Sequence, residues 1–266
     1  MITLITGNHP RHQSLADCFT KFFKDIVWII EKRENFVPEI DKNFNIENQK
    51  LQKYHFEKRK NAELEFFSSK AGELAKNNIN KIFEINKEDL NSKKIKRIIE
   101  KEPSQILITY GCHKISDDIL KVFKGYKWNI HGGLSPWYKG NITHFWPTYM
   151  LEPEYTGMTL HDLTSDIDGG SIIHQQVCDL NINDGIHENA CRLVKIFSDQ
   201  LPEIINNNLG KKLIGINHKT TGRIWTSKMW TPLHLNLIYN FYNDKINKYC
   251  LENKKIIKPT IKSILI

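Results

Sequence analysis

The chain has no paired cysteines. Its five, Cys18, Cys112, Cys178, Cys191 and Cys250, show neither a C-x-x-C nor any regular spacing. That argues against both a zinc site and a disulfide framework and suits a reducing, cytoplasmic setting. Long apolar runs are missing too. Met1-Ile2-Thr3-Leu4-Ile5-Thr6-Gly7 is too short for a signal peptide or a membrane span, and no basic segment precedes it. No G-x-G-x-x-G, P-loop, Ser nucleophile elbow or metal-ligand spacing is present, which removes the usual routes to dinucleotide, triphosphate, acyl-serine and metal chemistry. An Arg-rich stripe interleaved with aromatics is also absent. The net charge of +8 comes largely from lysines spread over 42–101 and the tail. Solvated lysine faces that help attract an anionic small molecule account for it, and neither a nucleic acid nor a membrane is expected as partner.

What is present is an ordinary globular composition, 40% hydrophobic and 26% charged. Residues 2–6 read as a buried strand. The turn Gly7-Asn8-His9-Pro10-Arg11-His12 then leads into a helix over about 14–23, which makes it either an anion cradle or a plain strand–helix turn. Further strands are expected at 26–30, 81–85, 105–110 and 128–131. Helices are expected over 47–77, 86–102 and 116–123, with His55 exposed or capping. This alternation predicts an α/β protein with a Rossmann-like parallel sheet and flanking helices. Ligands of such sheets sit at the carboxyl ends of the strands, where Gly7-Asn8, Gly111-Cys112-His113-Lys114 and His131-Gly132 fall. Residues 156–163 and 171–177 read as a hairpin or meander, and 187–207 as a helix that Pro202 kinks or restarts. The chain divides into a catalytic domain, 1–207, and a small aromatic extension, 208–266, which includes Thr220-Thr221-Gly222-Arg223-Ile224-Trp225.

The chemistry concentrates between Trp128 and Gly170. Residues i and i+2 of a strand share a side, so Asn129 and His131 present an amide and an imidazole together. Asp168 follows after a gap long enough for a helix and a strand to bring it back. The three suit acyl transfer without a covalent intermediate. An attacking amine creates an oxyanion that needs donors, the Asn amide donates at any pH, and the imidazole exchanges protons near neutrality. The acid either orients and charges His131 or removes the amine proton through a water. Equally open is a structural reading, with Asn129 a strand-end cap, His131 satisfied in its loop and Asp168 starting the turn Asp168-Gly169-Gly170.

Three motifs in order, Asn129-Ile130-His131, Leu134-Ser135-Pro136-Trp137-Tyr138-Lys139-Gly140 and Ile167-Asp168-Gly169-Gly170, resemble the signature of the tetrahydrofolate-dependent formyltransferases. The likeness runs over about 1–205, with Leu4-Ile5-Thr6-Gly7-Asn8 similar to the glycinamide-type first loop. The resemblance implies N10-formyltetrahydrofolate as formyl donor, an amine acceptor and no metal. It matches Asn129, His131 and Asp168 to the catalytic trio. It matches Lys114, Ile115 and Ser116, with Leu163, Thr164, Ser165, Asp166 and Ile167, to the segments that hold the pterin largely through backbone groups. Cys112 is given no role.

Relatives acting on glycinamide ribonucleotide or tRNA usually carry Ser-Leu-Leu-Pro where this chain has Gly133-Leu134-Ser135-Pro136. The tail is too short for the barrel of methionyl-tRNA enzymes and absent from glycinamide enzymes. By elimination the chain is most similar to the sugar-nucleotide N-formyltransferases of polysaccharide biosynthesis. Alternatives are an enzyme acting on glycinamide ribonucleotide or methionyl-tRNA, and a non-catalytic folate-binding relative. For an amino-sugar nucleotide, Gly7, Asn8, Arg11, Trp137, Tyr138, Lys139 and Trp225 are the candidate contacts. Phe145, Trp146 and Trp230 are further aromatic candidates and Arg223 a further cation, each with core packing or solvent as the alternative. His144 is read as a helix-face residue. The aromatic tail is compatible with a homodimer.

Overall fold

Apolar, β-branched runs build the centre of the molecule. In the computed structural model, which describes residues 1–33, 39–218 and 223–265, β1 (Ile2–Gly7), β2 (Ile26–Glu31), β3 (Lys81–Ile85), β4 (Ile106–Tyr110) and β5 (Tyr126–His131) pair in parallel. Further on, β6 (Tyr138–Gly140) stands outside this sheet, while β7 (Gly157–Asp162) and β8 (Ile172–Val177) extend it antiparallel as a hairpin. The order is β3-β2-β1-β4-β5-β7-β8. The parallel sheet expected from the sequence therefore holds for five strands, and two antiparallel strands complete it.

Strand alternation sorts the core onto two faces. Leu4, Trp28, Ile108 and Trp128 face one apolar cluster, and Ile5, Ile29 and Leu107 the other. The first face is covered by α1 (Pro10–Thr20), α2 (Ile46–Phe67), α3 (Glu73–Asn78) and α7 (Ile186–Asn207); the second by α4 (Lys93–Lys101) and α5 (Asp117–Val122). Trp28 is fully buried, and its Nε1 donates to Thr6 Oγ1 at 2.9 Å. Burying a side chain of this kind contributes roughly 1.5–3 kcal/mol.

Several helix boundaries differ from expectation for local reasons. α1 starts at Pro10, which needs no N–H in the first turn. The helix expected over 47–77 breaks after Phe67, where Ser68 takes a positive φ of 66°. The one expected over 86–102 splits into a 3₁₀ turn, Lys87–Asp89, and α4, whose N-cap Ser92 side chain accepts from Ile95 N–H. Pro202 lies inside α7, which continues to Asn207.

Residues after Asn207 lie against the sheet and its loops. Ile216 bridges Ile172 of β8. β9 (Arg223–Trp225) pairs with β6, and a π-helical turn Asn236–Phe241 and α8 (Ile246–Asn253) follow; the short α6 (Trp146–Tyr149) belongs to the same region. One apolar cluster joins Tyr138, Phe145 and Trp146 to Trp225, Leu235, Ile238, Ile246 and Cys250. Residues Thr220-Thr221-Gly222 lie outside the described residues. Among the described residues no helix is long and apolar enough to cross a membrane.

Candidate active site

The side of the sheet that carries Leu107 turns polar at the strand ends. Thr109 of β4, Asn129 and His131 of β5, and Thr159 and His161 of β7 share it, with Asn129 opposite His161 and His131 opposite Thr159. Thr109 Oγ1 donates to Asn129 Oδ1 at 2.7 Å, which fixes the amide with Nδ2 toward His161 Nε2, 3.2 Å away. His161 Nδ1 lies 2.8 Å from the Asp162 carbonyl, and its Nε2 faces the Asn129 amide.

Asp168 comes from the loop between β7 and β8, with a φ of +44° that an Asp ahead of two glycines tolerates. Its Oδ2 is 3.3 Å from His131 Nδ1 and accepts the Gly140 N–H at 2.8 Å; its Oδ1 is 3.5 Å from His161 Nε2. Burial alone would raise the Asp168 pKa. The two imidazoles and the Gly140 N–H outweigh it and hold the carboxyl down at about 2. His131 donates from Nε2 to the Tyr138 carbonyl at 2.8 Å, leaving Nδ1 turned to the carboxylate. Burial lowers the His131 pKa, with Asp168 pulling the other way.

Asn129, His131 and Gly132 form one wall of a cavity of about 740 Å³. Arg11, Arg33, Arg59 and Glu63 also line it, with His55, Phe56, Phe145, His187 and Trp230. Glu63 is 1% exposed and lies between Arg11 and Arg59, the latter at 3.4 Å. Burial and the neighbouring Arg11 lower the Arg59 pKa to about 10, so it stays cationic at neutral pH. The cavity histidines are neutral: burial drives His55 and His144 to about 3, and His12 and His187 well below their ordinary range.

Asn129, His131 and Asp168 come together, linked through His161. Lys114 Nζ donates to the Ser165 carbonyl at 3.2 Å, so the two segments matched to pterin binding also meet. Ile115 and Leu163 belong to the cluster beneath them, while 164–167 are exposed and Ser116 N–H is held by Asn91 Oδ1 at 2.7 Å. Arg11 lines the cavity, and Asn8 accepts the Arg33 backbone N–H at 2.9 Å. Gly7 is a close approach, where a Cβ would strike the His12 ring and the Gly111 carbonyl.

The aromatic candidates need correction. Tyr138 and Trp225 are buried rather than open platforms: Trp225 stacks on Trp146 at 4.4 Å and on Tyr138 at 6.0 Å. Trp137 is 37% exposed and packs edge-on against Tyr155, and Lys139 is buried; neither lines the cavity. Trp230 and Phe145 do. His55 is not exposed but buried against Tyr239 Oη at 2.8 Å. His144 lies on the cavity wall, its Nε2 3.2 Å from the Gly157 carbonyl. No role was legible in the sequence for His161, or for Arg59 and Glu63, which with His55 form a stripe along α2. The i, i+4, i+8 spacing of that stripe was the available signal. Among the described residues no group of three or more His, Cys, Asp or Glu side chains is placed to hold a metal ion.

A mostly parallel sheet with an amide, two imidazoles and a carboxylate at its strand ends defines a transferase-like α/β site. The formyl transferase family model matches residues 3–205, and the chain belongs to that family. Its fold is similar to an N-formyltransferase from Helicobacter canadensis in complex with folinic acid and dTDP-3-aminofucose, at 20% identity and TM-score 0.53, covering 91% of this chain and 82% of that one. A sugar N-formyltransferase from Shewanella matches at 15% identity and TM-score 0.54, covering 86% and 78%. A phosphoribosylglycinamide formyltransferase from Streptococcus pneumoniae matches at 16% and 0.51, covering 77% and 96%.

Proposed function

We propose that this chain is an N-formyltransferase that moves a formyl group from N10-formyltetrahydrofolate to the amine of an amino-sugar nucleotide. The observation that carries it is the meeting of Asn129, His131 and Asp168 beside a cavity lined by three guanidinium groups. The donor's place is supported by Lys114 reaching Ser165, by the apolar floor of Ile115 and Leu163, and by the exposed residues 164–167. Bound there, the donor supplies an activated formyl carbon. The chain's own groups do the rest. The Asn129 Nδ2–H is a donor for the oxygen that gains charge as the amine attacks. His131 keeps its Nε2–H on the Tyr138 carbonyl, so Nδ1 is the atom that takes the amine's proton. The Asp168 carboxylate, already ionised, then pairs with the imidazolium, and His131 returns the proton to N10 as its bond to the formyl carbon breaks and tetrahydrofolate leaves.

Arg11, Arg33 and Arg59 suit a pyrophosphate, and Phe56, Phe145 and Trp230 give a nucleobase an aromatic wall. Glycinamide ribonucleotide, with one phosphate and no base, would leave that wall unused. It is the second reading because of the fold shared with the glycinamide enzyme. Incubation with the donor and a panel of amino-sugar nucleotides, glycinamide ribonucleotide and methionyl-tRNA separates them. Turnover of an amino-sugar nucleotide supports the proposal; turnover of glycinamide ribonucleotide or Met-tRNA alone overturns it.

A further inference from the structure

Two residues of β6, Tyr138 and Gly140, hold the two halves of the His131–Asp168 pair. The Tyr138 carbonyl accepts from His131 Nε2, and two residues on, Gly140 N–H donates to Asp168 Oδ2, each at 2.8 Å. The position of β6 therefore sets the distance between imidazole and carboxylate. β6 does not belong to the main sheet; its strand partner is β9, from the C-terminal extension. The register is Tyr138 with Arg223, Lys139 with Ile224 and Gly140 with Trp225, and Asn141 N–H donates to the Trp225 carbonyl at 2.7 Å.

Gly140 has a φ of +97°, and a Cβ there would collide with the Trp225 carbonyl oxygen. The two strands thus approach to backbone contact beside the group that holds Asp168. The Trp225 ring is buried and lies parallel to Tyr138, at 11°, and to Trp146, at 19°. It is tied at once to β6 and to α6. The geometry points to Trp225 as a positioning residue: the extension sets the register of β6 and through it aims the catalytic pair. Trp225 touches neither His131 nor Asp168 and acts only through Tyr138 and Gly140. This inference rests on the proposed roles of His131 and Asp168.

The test uses the full chain with Trp225→Phe, Trp225→Leu and Gly140→Ala. Two readouts are taken: formyl-transfer kinetics, and the ¹⁵N signals of the His131 ring, which report its tautomer without any substrate. Trp225→Phe keeps the ring stack and is expected to turn over within about threefold of wild type. Trp225→Leu is expected to lose about tenfold or more in kcat with KM changed less than about threefold. Its His131 signals are expected to shift from a single Nε2–H form toward a mixture of tautomers. Gly140→Ala, which drives the strands apart, is expected to give the same His131 signature if Trp225→Leu does not fold. Folded Trp225→Leu or Gly140→Ala protein with wild-type His131 signals overturns the inference. If wild type formylates none of the amines offered, the proposed reaction fails, and the His131 signals alone decide the positioning role.

Discussion

His131 Nδ1 and Asp168 Oδ2 stand 3.3 Å apart, brought there from the end of β5 and from a loop beyond β7. Neither element places the pair alone, since each partner is also held by β6. Removing either partner is expected to cost turnover. His131→Ala and Asn129→Ala should each lose more than roughly tenfold in kcat, and Asp168→Ala more still. Steady-state kinetics alongside circular dichroism checks this, and near-normal turnover in Asp168→Ala removes the residue from the trio.

Asp168 titrates outside the physiological range. Its folded pKa is depressed from 3.8 to about 2, so the stability it contributes is present above 3.8 and lost as pH falls through 2. No acid limb of activity between pH 5 and 8 should belong to it. A pH–rate profile whose acid limb survives in His131→Ala but vanishes in Asp168→Asn would contradict this.

The buried histidines act in a higher window. His55 and His144 fall from 6.5 to about 3 in the folded chain, and both gain a proton on unfolding below 6.5. Their contribution is complete above pH 6.5 and declines as pH falls toward 3, by at most about 1.4 kcal/mol per pH unit for each. Thermal melts from pH 8 to 5 should show Tm falling below 6.5, and His55→Phe should flatten the slope. An unchanged slope would remove His55 from the set.

Glu63 is the counter-charge of the cavity's basic wall. Glu63→Ala leaves Arg11 and Arg59 facing each other without it and should destabilise the fold by about 3 kcal/mol. Urea unfolding measures that loss. The double variant Glu63→Ala/Arg59→Ala should recover part of it, and full additivity of the two losses would show no coupling.

The sheet and the placing of Asn129 with His131 on one side of a strand were legible because both rest on local pattern, whereas Asp168 was matched only through the resemblance. Runs such as Ile26-Val27-Trp28-Ile29-Ile30 have no other stable place than a buried strand, and the i, i+2 rule puts Asn129 beside His131. The partner of Asn129 was not legible, because His161 reaches it across an antiparallel pairing whose register no local pattern fixes. Trp225 misled for a related reason. An aromatic in an irregular stretch reads as exposed until a second strand, here β6, is found to cover it. Arg59 and Glu63 were missed because α2 looks like a charged surface helix, and only its packing against α1 and α7 buries Glu63.

The most direct measurement follows the formyl group itself. Wild type and Asp168→Asn are each mixed with N10-formyltetrahydrofolate and an amino-sugar nucleotide, and the nucleotide product is examined by mass spectrometry over time. The expected result is a product heavier by one formyl group with wild type, formed at least about a hundredfold more slowly with Asp168→Asn. Equal rates for the two proteins, or no formylated nucleotide with either, would contradict a formyl-transfer site built on His131 and Asp168.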